Sequence, residues 1–545
     1  MAVKSFLPWI SAVITYASGA MFDPYFANLS WVAPRTLSTW DNLTVSTPTG
    51  TFIGMLPILL GRARGRKLTC PVKAACRRPS MATAADTEED WKENRLDIFR
   101  TRWVNARIMD QPRLTWVIPA CPQFVSGSSS LWNMYQPPNP VINIGEPSNA
   151  GAIAWSSAED CLSLAIWTPS YANETSKLPV ALFVTGGGGV TGGINIASQL
   201  PTNWVSRSQE HIVVTINYRV NIFGNPKSRA LNETSLTLLD IRAAVEWVSA
   251  NIELFGGDKD NILLWGQSQG AAFTHMYTLA WPEDPLVNKF GIISQPPSVQ
   301  INLTVTPDPY ADFSNVAAAL GCNYGNDSEA ELECMRHISF VQIIETINNW
   351  NSTPSVAFNA YIPDERYIFS NETDRYVQGK VARGPAIKSN AATEIPTDGN
   401  LTASISSAKA WTCANYQDSV LRQTIGLDTY RYFWGGNFSN ISPVPWLGAF
   451  HWSDLFMFFG TYMLDVGEVS QLEVETSETM QDYLLAFTKN AGTVETTVGW
   501  PEFDVNSTDG GAILEFGKDL PVKNITGDYV DGSCWDSSAE YPYHG

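Results

Sequence analysis

One serine of the sequence lies in a motif that could expose it as a nucleophile. GQSQG (266–270) directly follows the apolar run NILLW, and the helix-forming stretch AAFTHMYTLA follows the motif. In a strand–turn–helix of this kind, glycines let two backbones pack closely, and the strained turn exposes the serine hydroxyl. In another setting the same residues would form a Gly-Ser turn without chemistry. The strand before the motif and the helix after it favour Ser268 as a nucleophile.

A serine hydroxyl needs a base to take its proton, and enzymes with this elbow carry an acid and then a histidine downstream. The sequence has five histidines: His211, His275, His337, His451 and His544. The first precedes the serine, the second lies about 10 Å along the same helix, and the last is in the terminal tail. His337, beside a cysteine in a predicted insertion, fits a surface or packing role. His451 follows a Gly-containing loop and opens an aromatic-rich helix, and is therefore the best candidate for the base.

The carboxylate that would orient this base is less well determined by the sequence. Glu394 in GPAIKSNAATEIP (384–396) is attractive because a short apolar run precedes a polar turn. Many other Asp and Glu residues lie between Ser268 and His451, so spacing alone leaves the choice open. Asp398 is the next candidate.

A run of glycines, GGGGVTGG (186–193), follows another predicted strand. Its spacing also matches a dinucleotide fingerprint, which requires a helix directly afterwards and an acid at the end of the next strand. The next strand, HIVVTIN, has no acid, and Pro201 interrupts an opening helix. The alternative is an oxyanion hole, in which backbone N–H groups face a developing negative charge. One donor would come from this loop and another from the residue after the nucleophile.

Both strands and helices are predicted around these motifs. Short apolar runs at 162–169, 179–186, 211–219 and 261–266 predict buried strands, and 236–257 has helical periodicity that ends in Gly-Gly. Buried strands with an intervening helix indicate an α/β fold with a mostly parallel sheet covered on both faces. Residues 270–360 are predicted to be a mainly helical insertion over the carboxyl edge of the sheet, and 43–54 a β-hairpin.

The composition is that of a large globular protein. The chain has 545 residues, 44% hydrophobic and 16% charged, with a net charge of −19. The high hydrophobic content excludes a disordered chain. The negative net charge means that the overall electrostatic field of the protein would not attract nucleic acid or an anionic membrane. Lys4, the apolar run 6–17 and small residues at 18–20 predict a signal peptide over 1–20. No later apolar run reaches 18 residues, so no transmembrane anchor is predicted.

Many Asn-x-Ser/Thr sequons agree with a secreted, glycosylated protein, in which disulfides are the default state of paired cysteines. The sequons are Asn28, Asn42, Asn173, Asn232, Asn302, Asn326, Asn351, Asn371, Asn400, Asn437, Asn440, Asn506 and Asn524.

Longer blocks of sequence resemble a known family. EDCLSLAIWTP (159–169) is similar to a family block E-D-C-L-x-L-N, and an ordered series of matches runs from NYRVNIFG at Asn217 to GQSQGA at Ala271. These blocks resemble the type B carboxylesterase/lipase family, the cholinesterase-like α/β-hydrolases. The resemblance covers nearly everything from about residue 45, and it implies one α/β-hydrolase domain over 21–545 with helical insertions over the active site.

The resemblance also implies roles for residues. It implies Ser268 as the acyl-forming nucleophile, Glu394 in SNAATE as the acid and His451 as the base. The oxyanion donors carry over as the N–H groups of Gly187, Gly188 and Gln269. It implies the disulfides Cys121–Cys161, Cys322–Cys334 and Cys413–Cys534, and structural ion pairs Arg113–Glu159 and Arg219–Asp240.

Some residues depart from the family pattern. The aromatic residue after the glycines is missing, and G-Q-S-Q-G replaces the common G-E-S-A-G. Gln267 removes a carboxylate that in cholinesterases lies near the cationic substrate group, which weakens a choline-ester interpretation. Gln269 still supplies its backbone N–H. Cys70 and Cys76 remain unpaired and lack two further ligands for zinc, so no metal is predicted.

The function expected is that of a secreted serine esterase, which hydrolyses small-molecule or lipid esters through an acyl-enzyme on Ser268 without a cofactor. One alternative is a lipase with a lid in the Cys121–Cys161 loop. Another is a non-catalytic recognition homologue, which the presence of Ser268, Glu394 and His451 together disfavours. The sequence identifies neither the acyl part nor the alcohol part of the ester substrate.

Residues 59–92 do not fit this pattern. Within them, 61–80 carry seven basic residues and no acidic one. The segment is either a basic surface loop or non-native coding sequence, such as a retained intron. The second interpretation is favoured, because the stretch after Arg113 is also shorter than in the family.

Overall fold

The computed structural model describes residues 43–47, 50–54, 119–123 and 157–543, with gaps at 195, 234, 299–305, 398–399, 445 and 465–466. Several sequence predictions lie outside these residues: the signal peptide 1–20, the segment 59–92, Cys70, Cys76, Arg113, the alternative acid Asp398, and the sequons at Asn28, Asn42 and Asn302.

The strands of the described chain form a hairpin and one large sheet. The predicted hairpin at 43–54 is confirmed, since β1 (Leu43–Thr47) pairs with β2 (Gly50–Gly54) in antiparallel register. The other strands are β3 (Leu164–Trp167), β4 (Leu178–Val184), β5 (Ile212–Ile216), β6 (Gly257–Gln267), β7 (Lys289–Ile293), β8 (Ala386–Ala391), β9 (Thr429–Trp434), β10 (Ala512–Phe516) and β11 (Val522–Thr526). They form a nine-stranded sheet in the order β11-β10-β9-β8-β7-β6-β4-β5-β3.

The sheet is mostly parallel, as predicted. Every pairing from β5 through β4, β6, β7, β8 and β9 to β10 is parallel. Only the edge strands β3 and β11 run antiparallel to their neighbours. Parallel strands bring their carboxyl ends to one edge, so the loops after β4, β6, β8 and β9 share that edge.

Helices follow most of the strands. They are α1 (Thr202–Ser208), α2 (Asn221–Gly224), α3 (Leu236–Asn251), α4 (Gln269–Ala280), α5 (Ala311–Ala319), α6 (Ser328–Met335), α7 (Phe340–Asn348), α8 (Glu372–Val377), α9 (Leu401–Thr424), α10 (Leu455–Phe459), α11 (Gln471–Asn490), α12 (Val494–Val498) and α13 (Gly527–Asp531).

The helices cover both faces of the sheet. Successive side chains of a strand point to opposite faces, and the buried residues of β4 divide in this way. Val180 and Leu182 belong to a core cluster with residues of α3 and α4, such as Ile241. Phe183 belongs to a second cluster with residues of α10 and α11, such as Phe459. Burial on both faces explains why the strands are continuous apolar runs in the sequence.

The region 270–360 was expected to be mainly helical, and this expectation is partly wrong. Helices α5, α6 and α7 do form a separate apolar cluster with Ile222 and Phe223 of α2, beyond the carboxyl end of β5. The same region, however, also contains β7, a fully buried strand between β6 and β8. The five-residue segment KFGII (Lys289–Ile293) is too short for a periodicity that would distinguish a buried strand from a helix.

Covalent and ionic links hold distant parts of the chain together. Disulfides join Cys121 to Cys161, Cys322 to Cys334 and Cys413 to Cys534. Arg219 and Asp240 form a buried ion pair with a nitrogen–oxygen distance of 2.6 Å, as predicted. This pair fixes the segment after β5 to α3, because an unpaired charge at this depth would be strongly destabilising.

Candidate active site

Ser268 lies at a sharp turn between β6 and α4, at the carboxyl edge of the sheet. Its φ of 59° and ψ of −127° place it in a strained conformation that few non-glycine residues adopt. The turn also requires the flanking glycines, because a Cβ on Gly266 would come within 2.4 Å of Gly270, and one on Gly270 within 2.1 Å of the Val184 carbonyl oxygen. These contacts are the reason for the G-x-S-x-G spacing.

His451 and Glu394 meet at the same edge of the sheet. Their side chains are joined by His451 Nδ1 and Glu394 Oε2, 2.6 Å apart, and both residues are buried. Since the carboxylate accepts a hydrogen bond from Nδ1–H, the neutral imidazole keeps its lone pair on Nε2. That tautomer can accept a proton from a hydroxyl.

The backbone fixes this pair as well as the side chains do. Thr393 forms a parallel bridge with Phe450, and the N–H of His451 donates to the Glu394 carbonyl oxygen at 3.1 Å. The second carboxylate oxygen, Oε1, accepts from the Ala391 N–H at 2.8 Å. Because β8 and β9 are neighbours in the sheet, the loops that carry Glu394 and His451 are adjacent although the two residues are 57 positions apart.

The glycine loop after β4 lies against the nucleophile turn. A Cβ on Gly186 would come within 2.9 Å of Ser268 Cβ, so only glycine allows this approach. Gly187, Gly188 and Gly189 all have positive φ. Within the described residues, the N–H groups of Gly187, Gly188 and Gln269 donate to no carbonyl oxygen of a turn or loop.

Gln267 makes a contact that the sequence did not indicate. Its side-chain Nε2 lies 3.3 Å from His451 Nε2, and within the described chain this is the hydrogen bond recorded at that nitrogen. Trp411 packs edge-on against the same imidazole, with ring centroids 4.7 Å apart. The imidazole of His451 is therefore contacted on three sides, by Glu394, Gln267 and Trp411.

A second carboxylate, Asp454, lies near Glu394 and His451. Its Oδ2 accepts a hydrogen bond from the Tyr432 hydroxyl at 2.7 Å. Burial raises the pKa of Asp454 to about 6, and the charge of Glu394 adds to this effect. The residue was not singled out in the sequence, although its place three residues after His451 in HWSD was visible there.

The other described histidines are placed away from this chemistry. Burial lowers the pKa of His211 to about 3, and the residue packs on Trp204. Burial alone would lower the pKa of His275, but the nearby carboxylates Asp418 and Glu372 raise it overall. His337 is exposed and contacts Glu333, which agrees with the expected surface role.

The sequons differ in their accessibility. Asn173, Asn232, Asn326, Asn351, Asn371, Asn400, Asn437, Asn506 and Asn524 are exposed. Asn440 is buried, and its amide nitrogen donates to the Tyr462 carbonyl oxygen at 3.1 Å. A glycan on that nitrogen would require this contact to open, so the folded chain does not present Asn440 for modification.

Taken together, a nine-stranded mostly parallel sheet with helices on both faces and a strained serine at its carboxyl edge defines an α/β-hydrolase. The chain belongs to the carboxylesterase family, whose model matches residues 118–394. It is a carboxylic ester hydrolase by this membership. His451 lies beyond the matched residues.

Individual relatives agree with this class. A chlorogenic acid esterase of Aspergillus niger is 36% identical over 449 residues, which cover 76% of this chain and 82% of the relative. Secreted lipase 5 of Gibberella zeae is 35% identical over 382 residues, 63% of this chain and 70% of the relative. An inactive carboxylesterase-like protein, VdtD of Byssochlamys spectabilis, is 31% identical over 260 residues, 45% of this chain and 43% of the relative.

Among the helices of the described residues, none has the length and apolar character that a bilayer crossing would require.

Proposed function

We propose that this protein is a secreted serine esterase that hydrolyses carboxylic esters through an acyl-enzyme on Ser268. The Ser268 hydroxyl attacks the ester carbonyl while His451 Nε2 takes its proton, and Glu394 stabilises the imidazolium that forms. The N–H groups of Gly187, Gly188 and Gln269 donate to the oxyanion. His451 then gives the proton to the departing alcohol, and water attacks the acyl carbon to release the acid and restore the serine.

One observation carries this proposal. The contact of 2.6 Å between His451 and Glu394 lies at the sheet edge where the strained turn exposes Ser268. Base, acid and nucleophile thus come from the ends of different strands at one edge, which is the arrangement that acyl transfer by a serine needs.

Secretion is proposed on separate grounds. The predicted signal peptide 1–20 would direct the chain to an oxidising compartment, where disulfides such as Cys413–Cys534 persist. The name of one relative, secreted lipase 5, supports the same compartment. We also propose that residues 21–545 form a single domain.

The substrate class is proposed only as carboxylic esters. The names of two relatives point to a chlorogenic acid esterase and to a lipase, and thus to a phenolic ester or a long acyl chain. A series of p-nitrophenyl esters from two to sixteen carbons, with chlorogenic acid and an emulsified triglyceride alongside, separates these classes. Preference for long chains with activation at the emulsion surface would favour the lipase with a lid.

The nucleophile itself is tested by Ser268→Ala. We expect this variant to lose hydrolysis by at least about four orders of magnitude and to lose labelling by an organophosphonate. Ser406→Ala, on the exposed face of α9, is the matched control and should behave like the wild type. Labelling of another serine in the Ser268→Ala variant would overturn the proposal in favour of a different nucleophile, whereas a wild type without labelling and hydrolysis would leave the non-catalytic homologue.

A further inference from the structure

A cavity of about 220 Å³ adjoins the nucleophile turn. Ala272 and His275 of α4 line it, as does Gln295, two residues after β7. Both segments are bonded to the turn itself. The Ala272 N–H donates to the Ser268 carbonyl oxygen at 3.1 Å, and the Ser268 N–H donates to the Ile293 carbonyl oxygen at 2.9 Å. The cavity therefore begins about one helical turn from the proposed nucleophile.

Most of the lining of this cavity is polar. Seven of the eleven lining residues carry a polar side chain. Besides His275 and Gln295, these are Ser298 and the segment 370–373, which leads into α8 and includes Glu372. They supply hydroxyl, amide, imidazole and carboxylate groups, and thus both donors and acceptors. An apolar ligand would remove these groups from water without replacing their hydrogen bonds, which is unfavourable. The lining therefore favours a ligand that can itself donate and accept.

The charged groups at the cavity compensate one another. His275 is 3% exposed, and its Nε2 lies 3.0 Å from Glu372 Oε2. Outside the lining, Lys388 forms an ion pair with Asp418, whose carboxylate lies 3.6 Å from His275 Nδ1. Two basic side chains thus face two acidic ones. Because a buried charge without a partner is costly, this balanced lining suits neutral hydroxyl groups better than an ionised ligand.

Two of the lining side chains can recognise a hydroxyl group. Lys388 Nζ donates to Gln295 Oε1 at 2.9 Å, so the amide is fixed at its oxygen, and its nitrogen is a donor. The Glu372 carboxylate has about four lone-pair positions, so it can keep its contact with His275 and accept from a ligand as well. A donor and an acceptor in one cavity are complementary to a hydroxyl group, which can both accept and donate.

The size of the cavity limits its ligand to about one ring. A cavity of about 150 Å³ is large enough to hold benzene. At about 220 Å³, this cavity has room for a six-membered ring that carries a few hydroxyl groups.

We infer that this cavity binds a neutral, hydroxylated six-membered ring of the ester substrate, with Glu372 and Gln295 as the residues that recognise its hydroxyl groups. The inference rests on the proposed function, and it narrows the substrate class from carboxylic esters in general to esters of a hydroxylated ring. The ring can belong to the acid or to the alcohol, because the chemistry of recognition is the same for both.

The test compares kcat/KM within two matched pairs of esters. Methyl caffeate and methyl cinnamate differ in the ring hydroxyls of the acid, and cyclohexanediol monoacetate and cyclohexyl acetate differ in a ring hydroxyl of the alcohol. We expect the wild type to prefer the hydroxylated ester of one pair by at least about tenfold, as a hydrogen bond to a charged group would give. The pair that shows the preference identifies the part of the ester that occupies the cavity. Nearly equal values within both pairs would overturn the inference.

Variants separate recognition from the intrinsic reactivity of the esters. In Glu372→Gln and in Gln295→Leu, the preference should fall to less than about threefold, while kcat/KM for ethyl acetate, which has no ring, should stay within about twofold of the wild type. Asp374→Asn, also on α8 but outside the lining, is the matched control and should keep the full preference. A preference retained in the lining variants would overturn the inference. If a thermal melt shows that one of them does not fold, the other still tests it.

Failure of the proposed function is recognised separately. Hydrolysis of ethyl acetate that persists in Ser268→Ala would contradict the proposed nucleophile, whatever the preference among rings. Loss of that hydrolysis in Ser268→Ala, together with no preference for a hydroxylated ring in the wild type, would contradict only the inference about the cavity.

Discussion

The three side chains of the proposed reaction are each held by residues that do no chemistry. Gly266 and Gly270 allow the strained turn of Ser268, because any Cβ there would collide with backbone. The pair of His451 and Glu394 is held by a backbone bridge as well as by its own hydrogen bond. Substitutions at such supporting positions should reduce the rate even though none of them contacts the substrate.

The acid is the residue whose role the sequence determined least, and its substitution gives a direct test. Glu394→Gln keeps the size of the side chain but removes the charge that stabilises the imidazolium. We expect kcat to fall by about three to four orders of magnitude with little change in thermal stability, as the loss of a triad acid does elsewhere. Steady-state kinetics together with a thermal melt measure both quantities.

Asp398→Asn is the comparison for that experiment, because Asp398 is the next carboxylate downstream. It should leave kcat within about twofold of the wild type. A nearly normal rate in Glu394→Gln, together with a large loss in Asp398→Asn, would move the acid to Asp398.

How much of the site was predictable differs from residue to residue. Ser268 followed from a motif in its strand and helix context, since the turn imposes local rules on the sequence. Glu394 could not be chosen by spacing, because its approach to His451 depends on β8 and β9 being neighbours in the sheet. The contact of Gln267 with the imidazole depends on side-chain packing, and no local pattern encodes it.

At the scale of elements, the sequence predicted strands well where apolar runs were flanked by turns. β4 and β5 lie close to their predicted bounds, whereas β6 begins at Gly257, before the predicted start. Its first residues, DKD at 258–260, are polar and half-buried or exposed, and the register with β4 shifts across them, so an apolar run could not predict this start. β7 was missed because a central strand needs no alternation when both faces are buried.

Helix α11 carries a buried carboxylate that should make stability depend on pH. Glu473 lies in its first turn, where the N–H of Glu473 donates to Ser470 Oγ at 3.1 Å. The residue is fully buried, neither carboxylate oxygen has a hydrogen-bond partner among the described residues, and burial raises the pKa of the carboxyl from 4.5 to about 7. Ionisation is thus more costly in the folded chain than in the unfolded one.

The sign of the effect follows from this raised pKa. Below about pH 4.5 the protonated Glu473 carboxyl makes its full contribution to the free energy of unfolding. This contribution is lost as the pH rises to about 7. At about 1.4 kcal/mol per pH unit, the loss is on the order of 3 kcal/mol. We expect Glu473→Gln to match the wild type in thermal unfolding at pH 5 and to exceed it at pH 8.

Glu475→Gln, two residues further on the exposed side of the same helix, is the control and should change the unfolding midpoint little at either pH. If Glu473→Gln were less stable than the wild type at pH 8, the ionised carboxylate would be making a favourable interaction, and the expected pH dependence would be wrong.

At the scale of the whole molecule, the C-terminal region is tied to the sheet by several independent links. Cys534 is bonded to Cys413 of α9, 121 residues away in sequence. Asp531 forms a buried ion pair with Arg431 of β9. The antiparallel pair β10 and β11 extends the sheet itself. Closing so long a loop by a disulfide restricts the unfolded chain, which stabilises the fold by about 4 kcal/mol or more in the chain-entropy model.

The basic segment 59–92 is unusual in its charge. A chain of net charge −19 contains one stretch, 61–80, with seven basic residues and no acidic one. A basic loop could be attracted to the acidic body of the protein, but its apolar residues have no helical or strand periodicity. The proposed site residues Ser268, Glu394 and His451 all lie downstream, so the proposed reaction does not require the segment.

We therefore expect the protein secreted by its native host to lack residues 59–92. Tryptic digestion would otherwise release LTCPVK (68–73) and RPSMATAADTEEDWK (78–92), with Cys76 in the short peptide between them. Mass spectrometry with isotope-labelled synthetic copies of both peptides measures their abundance against peptides from the sheet, which controls for losses in recovery. Their absence, together with a peptide that joins the sequence before residue 59 to the sequence after 92, is the expected result. Recovery of a peptide with Cys76 at the abundance of the rest of the chain would establish the segment as a native basic loop.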